Sequence, residues 1–290
     1  MKRSILTGVL TLITGAISSA QQGGLVFRAE SRLVEVYATV QDHRGRYLDD
    51  LPRETFRVLD NGAPQPIVSF ENSATELSCA ILLDTTGSMA VALPKVKNAI
   101  HRLIDEFREN DWIAVYGFSA GLETLEDFTR DKAAAKKSVS RTRAGGNTAL
   151  FDAISRVAGE ISKRNGKKAM IVFTDGDDNA SVLNVQRAIE RAKKMGVPVY
   201  TAAEGDALRR LGLLSELKDL ARLTGGKAYE VRNLNNVSSI FQDVSEELRH
   251  TYLLAFRPPE APSGGWRQIQ LSLSGVHDYK IQAKEGYFSY

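Results

Sequence analysis

Three short segments of the chain carry oxygen donors in an order that could hold a hard cation. Asp84-Thr85-Thr86-Gly87-Ser88 places a carboxylate and two hydroxyls at alternate positions, so that Asp84, Thr86 and Ser88 can point into one cavity. Gly145-Gly146-Asn147-Thr148 brings a third hydroxyl on a tight loop, and Thr174-Asp175-Gly176 brings a second carboxylate. Two carboxylates with neutral hydroxyls suit a divalent cation such as Mg²⁺, which keeps waters or an open position that a partner's oxygen can fill. The competing structural reading has Asp84 and Ser88 capping the next helix and Asp175 in a turn.

These segments fall where an α/β sheet binds ligands, outside the carboxyl ends of its strands. Cys79 to Leu83 and Ala169 to Phe173 are unbroken apolar runs, as expected of central parallel strands buried on both faces. Trp112 to Phe118 and Val197 to Ala203 are further strands. Between them lie apolar stripes of helical period: Val96, Ile100, Leu103, Ile104 and Phe107; Leu150, Ile154, Val157 and Ile161; Val185, Ala188, Ile189, Ala192 and Met195. A fourth stripe, Val237, Ile240, Phe241, Val244 and Leu248, closes the region. Strand alternating with helix predicts a doubly wound, mostly parallel α/β domain.

The flanks read differently. Val34, Val36, Ala38 and Val40 alternate with polar residues, as do Ile269, Leu271 and Leu273, and Tyr279, Ile281 and Ala283. Such alternation predicts antiparallel sheet. Asp60-Asn61-Gly62 is a hairpin signal, and Pro64 and Pro66 point to an edge. Each flank offers only about three strands, few for an independent domain, so the two are expected to pair into one β-sandwich with the α/β domain inserted between its halves. The expected division is residues 1–20, 21–75, 76–249 and 250–290.

The segment from about Leu77 to Arg249 resembles a von Willebrand factor type A domain. Asp84, Thr86 and Ser88 match its D-x-S-x-S motif, Thr148 its threonine motif and Asp175 its aspartate motif, in the family's order. Thr86 replaces the usual serine and keeps the hydroxyl. Asn147 stands where bacterial relatives often carry glycine. The resemblance implies a metal-ion-dependent adhesion site with Mg²⁺ on Asp84, Thr86, Ser88, Thr148 and Asp175, Mn²⁺ and Ca²⁺ being the alternatives. It further implies a protein partner whose Asp or Glu completes the coordination. Phe56 to Phe70, Tyr252 to Pro258 and Glu285-Gly286-Tyr287-Phe288 resemble the flanks of exported bacterial proteins termed VWFA-related, acidobacterial type.

Other patterns argue less. Gly117-Phe118-Ser119-Ala120-Gly121 spells the G-x-S-x-G of a hydrolase elbow, but an elbow needs a helix directly after it. Leu122 to Phe128 reads instead as a strand. Asp175, Asp177 and Asn179 mimic a calcium loop, yet Ala180 and Gln186 stand where glycine and glutamate are required. Asp177 and Asp178 are expected at the rim, tuning the local field. Cys79 reads as a buried strand residue, Trp112 and Trp266 as sheet residues, and no Walker lysine follows a glycine loop. Lys136-Lys137, Lys167-Lys168 and Lys193-Lys194 read as solvated surface.

The whole chain has 290 residues, 43% hydrophobic and 25% charged, ordinary for a globular protein. The single cysteine excludes a disulfide framework within the chain. Lys2 and Arg3, the uncharged stretch Ile5 to Ile17 and Ser18-Ser19-Ala20 form a signal-peptide pattern. Without Lys2 and Arg3, the 38 basic and 35 acidic residues come within one charge of balance. Neither nucleic acid nor a membrane surface is therefore an expected partner, and no membrane span is expected after signal cleavage. The expected location is the periplasm, cell surface or medium. The expected function is metal-dependent protein binding without enzymatic activity; the alternatives are an envelope scaffold with an inactive metal site and a serine hydrolase using Ser119.

Overall fold

A computed structural model describes residues 33–72, 75–176, 178–260, 262 and 264–289. The reading of residues 1–20 lies outside them. In chain order the elements are β1 (Val34–Asp42), β2 (Phe56–Asp60), β3 (Ala63–Gln65), β4 (Ile67–Glu71), β5 (Leu77–Asp84), α1 (Leu93–Glu106), β6 (Trp112–Phe118), β7 (Leu122–Thr129), α2 (Lys132–Arg141) and α3 (Leu150–Ile161). They continue with β8 (Lys167–Thr174), α4 (Val185–Lys194), β9 (Val199–Glu204), α5 (Asp206–Arg209), α6 (Leu211–Thr224), β10 (Ala228–Val231), α7 (Val237–Arg249), β11 (Tyr252–Phe256), β12 (Trp266–Leu273), β13 (Tyr279–Ala283) and β14 (Gly286–Phe288).

The central sheet has the order β10-β9-β8-β5-β6-β7. All its pairs are parallel except β6 with β7. Every residue of β5 and β8 is buried, because helices cover both faces. Cys79, Ile81 and Leu83 pack with α1 and α7 on one side. Ala80 and Leu82 pack with α3, α4 and α6 on the other. This is the doubly wound, mostly parallel fold that the apolar runs predict, and α2, α6 and β10 join the elements read from the stripes.

The flanks interleave. One sheet has the order β13-β1-β11-β4 and a second β14-β12-β2-β3, so each draws strands from both ends of the chain. Each flank supplies four strands, one more than the alternation suggested, since β3 and β14 are too short to show a period. The two sheets share one core. Phe56 of β2 meets Phe70 of β4 and Tyr252 of β11, with ring centroids 5.4 and 4.9 Å apart. Phe256 of β11 meets Tyr287 of β14 edge-on at 5.9 Å. Pro64 sits on β3, the edge strand that it suits. The antiparallel flanks thus form a two-sheet layer whose strand β11 is separated from the end of α7 by two residues.

Two of the lysine runs depart from expectation. Lys167 and Lys168 belong to β8 and are 2% and 5% exposed, and Lys193 at the end of α4 is 9% exposed. The β-sandwich covers them: Lys167 Nζ donates to the carbonyl of Thr251 at 3.3 Å, and Lys168 Nζ pairs with Glu35 of β1 at 2.9 Å. Lys193 Nζ lies 3.3 Å from the centre of the Trp266 ring, a cation–π contact across the same boundary. Trp112 is likewise a sheet residue, stacked against the guanidinium groups of Arg130 and Arg164.

The Tyr252 hydroxyl shows how the sandwich holds the first flank. It donates to the Leu48 carbonyl at 2.7 Å and accepts from Leu51 N–H at 3.1 Å. Tyr252→Phe is expected to strand both backbone groups and to cost about 1–3 kcal/mol of stability, measured by denaturant unfolding against wild type.

Candidate functional site

Registered pairing of two parallel strands creates the site. Leu83 of β5 lies opposite Phe173 of β8, so Asp84 and Asp175 leave the sheet side by side at its carboxyl edge. Asp84 is fully buried and Asp175 is 6% exposed. Asp84 Oδ1 accepts from Thr86 N–H at 2.9 Å and Oδ2 from the Thr174 hydroxyl at 2.7 Å. Ser88 donates to Asp175 Oδ1 at 2.8 Å, and its Oγ stands 3.0 Å from Thr86 Oγ1. Thr86 is buried, whereas Ser88 is exposed at the mouth. Ser88 lies on a one-turn 3₁₀ helix, Gly87–Ala90, and neither Asp84 nor Ser88 caps that turn.

Thr148 arrives on a separate loop. Gly146 turns that loop with φ +87°, and a side chain there would press on Ser119 at 3.3 Å, so both backbone and space require glycine. Gly145 N–H donates to the Thr85 carbonyl at 2.8 Å, which ties the loop to the Asp84 segment. Asn179 Oδ1 accepts from Thr148 N–H at 2.9 Å, while Asn179 and Ala180 return N–H bonds to the Thr148 carbonyl at 3.0 and 2.9 Å. A Cβ on Gly176 would sit 3.7 Å from Ser88 Oγ and 3.9 Å from Thr148 Oγ1. The fold therefore brings Asp84, Thr86, Ser88, Thr148 and Asp175 to one place.

The loop after β8 also caps α3. Asp178 accepts from the N–H groups of Phe151 and Ser181, both at 2.9 Å. Asp152 of α3 accepts in return from Val182 and Leu183 N–H. Asp178 is thus a cap residue rather than a free rim charge: the helix N-terminus lacks a cap of its own and takes one from the neighbouring loop. Asp177 lies outside the described residues. Thr174 carries no signal in the sequence beyond adjoining Asp175, and Asn179, part of the calcium-loop mimic, instead fastens the Thr148 loop.

No ion pair among the described residues involves Asp84 or Asp175. Burial raises the Asp84 carboxyl above its ordinary range, against the pull of its Thr86 and Thr174 hydrogen bonds. Burial also lifts Asp175 to about 6; the Ser88 bond opposes this, and the charges of Asp84 and Glu204 add to it. The Thr148 hydroxyl, on a residue 4% exposed, makes no hydrogen bond among the described residues. Two buried carboxylates without a countercharge, an unengaged hydroxyl and two further hydroxyls form an all-oxygen donor set that fits a hard divalent cation.

The competing chemistries find no support in this geometry. Ser119 sits in the turn between β6 and β7, with Ser119 N–H bonded to the Gly121 carbonyl, so a strand and not a helix follows it. His250 is held by Asp49 and Glu246, and His101 meets the carbonyl of Lys136 and the hydroxyl of Ser140. Cys79 is fully buried, and burial pushes its thiol far above the reactive range.

The family model of the von Willebrand factor type A domain matches residues 79–243. Integrin alpha-E of Mus musculus is 26% identical over 210 residues, 68% of this chain and 17% of its own length. Integrin alpha-M of the same species is 22% identical over 185 residues, 60% of this chain and 16% of its own. The chain thus spans under a fifth of either integrin. A solved von Willebrand factor type A protein from Catenulispora acidiphila superposes with TM-score 0.54 at 15% identity, covering 91% of this chain and 75% of that one. BatB of Bacteroides thetaiotaomicron superposes with TM-score 0.50 at 21% identity over 59% of this chain and 98% of its own. At these identities the two structures establish the fold. The first reaches beyond the α/β layer into the flanking sheets.

Between about pH 4 and 6 the folded protein without metal keeps a proton on Asp175 that the unfolded chain, at 3.8, has released. Stability without metal therefore falls as pH rises through that window. Asp175→Asn is expected to melt above wild type at pH 7 in EDTA and to converge with it near pH 4, as thermal unfolding at both pH values would record.

Proposed function

The chain belongs to the von Willebrand factor type A family, and from that premise we propose that it is an exported, metal-dependent protein-binding module. The observation that carries this reading is the pair of buried carboxylates, Asp84 and Asp175, converging with the Thr86, Ser88 and Thr148 hydroxyls without a compensating cation. Those five side chains would hold Mg²⁺, with Mn²⁺ or Ca²⁺ as alternatives. The ion would supply a hard Lewis-acidic point for a carboxylate oxygen of a protein partner. Thr174 and the Asn179 loop keep the donors in place; among the described residues none nearby is arranged as nucleophile and base, so the reading is of binding and not of catalysis.

The surroundings support a macromolecular partner. Val91, 85% exposed, follows the 3₁₀ turn that bears Ser88. Val182, 93% exposed, stands with Leu183 on the loop that Asp152 clamps above α3. Large apolar side chains held in water on the same loops as a cation site suit an interface of apolar contacts around a central charged one. Export rests on the reading of residues 1–20. No helix among the described residues is long and apolar enough to cross a membrane.

Calorimetric titration of Mg²⁺ and Mn²⁺ into metal-stripped protein is expected to give one saturable site, absent in Asp84→Ala. Absence of binding by the wild type would remove the metal from the reading. Partner capture on immobilised protein is expected to be reversed by EDTA and lost in Asp84→Ala. Val182→Asp is expected to retain the metal and weaken capture by about tenfold or more. Unchanged capture by Val182→Asp would take the apolar rim out of the interface.

A further inference from the structure

A second polar cavity opens at the other end of the central sheet, between the β-sandwich and α4. It has a volume of about 490 Å³ and is lined by Glu35, Ser162, Lys168, Lys194, Met195 and Lys284, among others. Lys168 lies near the amino end of β8 and Asp175 beyond its carboxyl end, so about 23 Å of strand separates the two sites.

Among the described residues, the ammonium groups of Lys168, Lys194 and Lys284 line this cavity with the carboxylate of Glu35. Both oxygens of Glu35 are already engaged by Lys168 Nζ, at 3.1 and 2.9 Å. Lys284 is 7% exposed and has no hydrogen-bond or ion-pair partner among the described residues. It is fixed there by the backbone, since the position of a Cβ on Gly225, at the end of α6, lies 3.3 Å from both Cβ and N of Lys284. The next residue, Glu285, is clamped to Arg222 of α6 at 2.7 Å. The chain thus delivers an amine to the cavity wall, where the charge that offsets it, Glu35, is already bonded to Lys168. Burial draws Lys284 down to about 8, with Glu35 opposing and Lys193 and Lys168 adding to the effect. An ammonium on a residue so largely withdrawn from water, with its countercharge shared, is costly to hold, and an anion seated against it would lower that cost.

We propose that this cavity binds a phosphate- or sulfate-bearing small molecule, its anionic group held by Lys284 and Lys168 with Lys194 at the wall. The volume is that of a small-molecule pocket and exceeds the need of a lone anion, and the Met195 side chain offers an apolar surface for the remainder of the ligand. Glu35 competes with the ligand for Lys168.

Calorimetry and thermal unfolding with inorganic phosphate, sulfate and glycerol phosphate, in magnesium-free buffer, test this. Wild type is expected to bind at least one of them with submillimolar affinity and to melt higher in its presence. Lys284→Met removes the ammonium at similar volume; it is expected to fold, to melt at or above wild type without anion, and to bind about tenfold more weakly or worse. Glu35→Gln frees Lys168 and is expected to tighten binding severalfold. Binding of glycerol phosphate at least as tight as inorganic phosphate would identify a phosphorylated molecule as the ligand class, and preference for the inorganic ions a free oxyanion. No binding by wild type to any probe, or equal binding by Lys284→Met, overturns the proposal. Because Asp84→Ala leaves this cavity intact, its anion binding is expected to match wild type, which separates this test from that of the metal site.

Discussion

Burying Asp84 and Asp175 side by side is the constraint around which the upper edge of the molecule is built. Parallel pairing of β5 with β8 puts the two carboxylates together, and the helices on both faces deprive them of water. Their partners are neutral: the Thr86 amide, the Thr174 hydroxyl and the Ser88 hydroxyl. Neutral donors lessen the desolvation of a carboxylate but do not cancel its charge, so both groups sit above their ordinary pKa range. That condition is what supports the proposed divalent cation, and the segments that bear the candidate donors are tied to one another. The Thr148 loop is stitched to the Asp84 segment by Gly145 and to the Asp175 loop by Asn179. Moving any one of the three segments disturbs the other two.

The sandwich and the α/β layer are joined by buried polar contacts as well as by chain continuity. The Tyr37 hydroxyl of β1 accepts from Lys168 N–H at 3.1 Å at the start of β8. Glu247 of α7, 2% exposed, accepts from Gln282 of β13 at 3.1 Å and from Tyr229 of β10 at 3.5 Å. Lys167 reaches the carbonyl between α7 and β11. Such groups are costly to bury unless each partner is in place, so the two layers are held in one arrangement. The same boundary explains why Lys167 and Lys168 of β8 and Lys193 of α4 are inside: they face a second layer and not solvent.

Much of the α/β architecture was legible because its signals are local. An unbroken apolar run such as Cys79 to Leu83 can be buried on both faces only as a central strand or inside a helix, and the helical stripes on either side decide for the strand. The Asp84, Thr86, Ser88 spacing, the Thr148 loop and Asp175 were legible for the same reason, each lying just after a strand or before a helix. The lysine runs misled because charge in a short window predicts solvent unless another layer covers it, and nothing near Lys168 announces Glu35, 133 residues away. Asp178 misled likewise: its carboxylate is taken by the amide of Phe151, 27 residues earlier.

Sequence alone determined the alternation of strand and helix, the antiparallel character of the flanks and which side chains are candidate oxygen donors, since periodicity and side-chain chemistry are properties of neighbours along the chain. Only the tertiary structure decided that β1 to β4 interleave with β11 to β14 in two sheets with a common core. It alone decided that, among the described residues, Asp84 and Asp175 have no ion-pair partner, and that Lys284 reaches a cavity wall where Glu35 is already bonded to Lys168. Those facts depend on which distant segments meet, and so on the burial of shared surface, a quantity that no single stretch of residues contains.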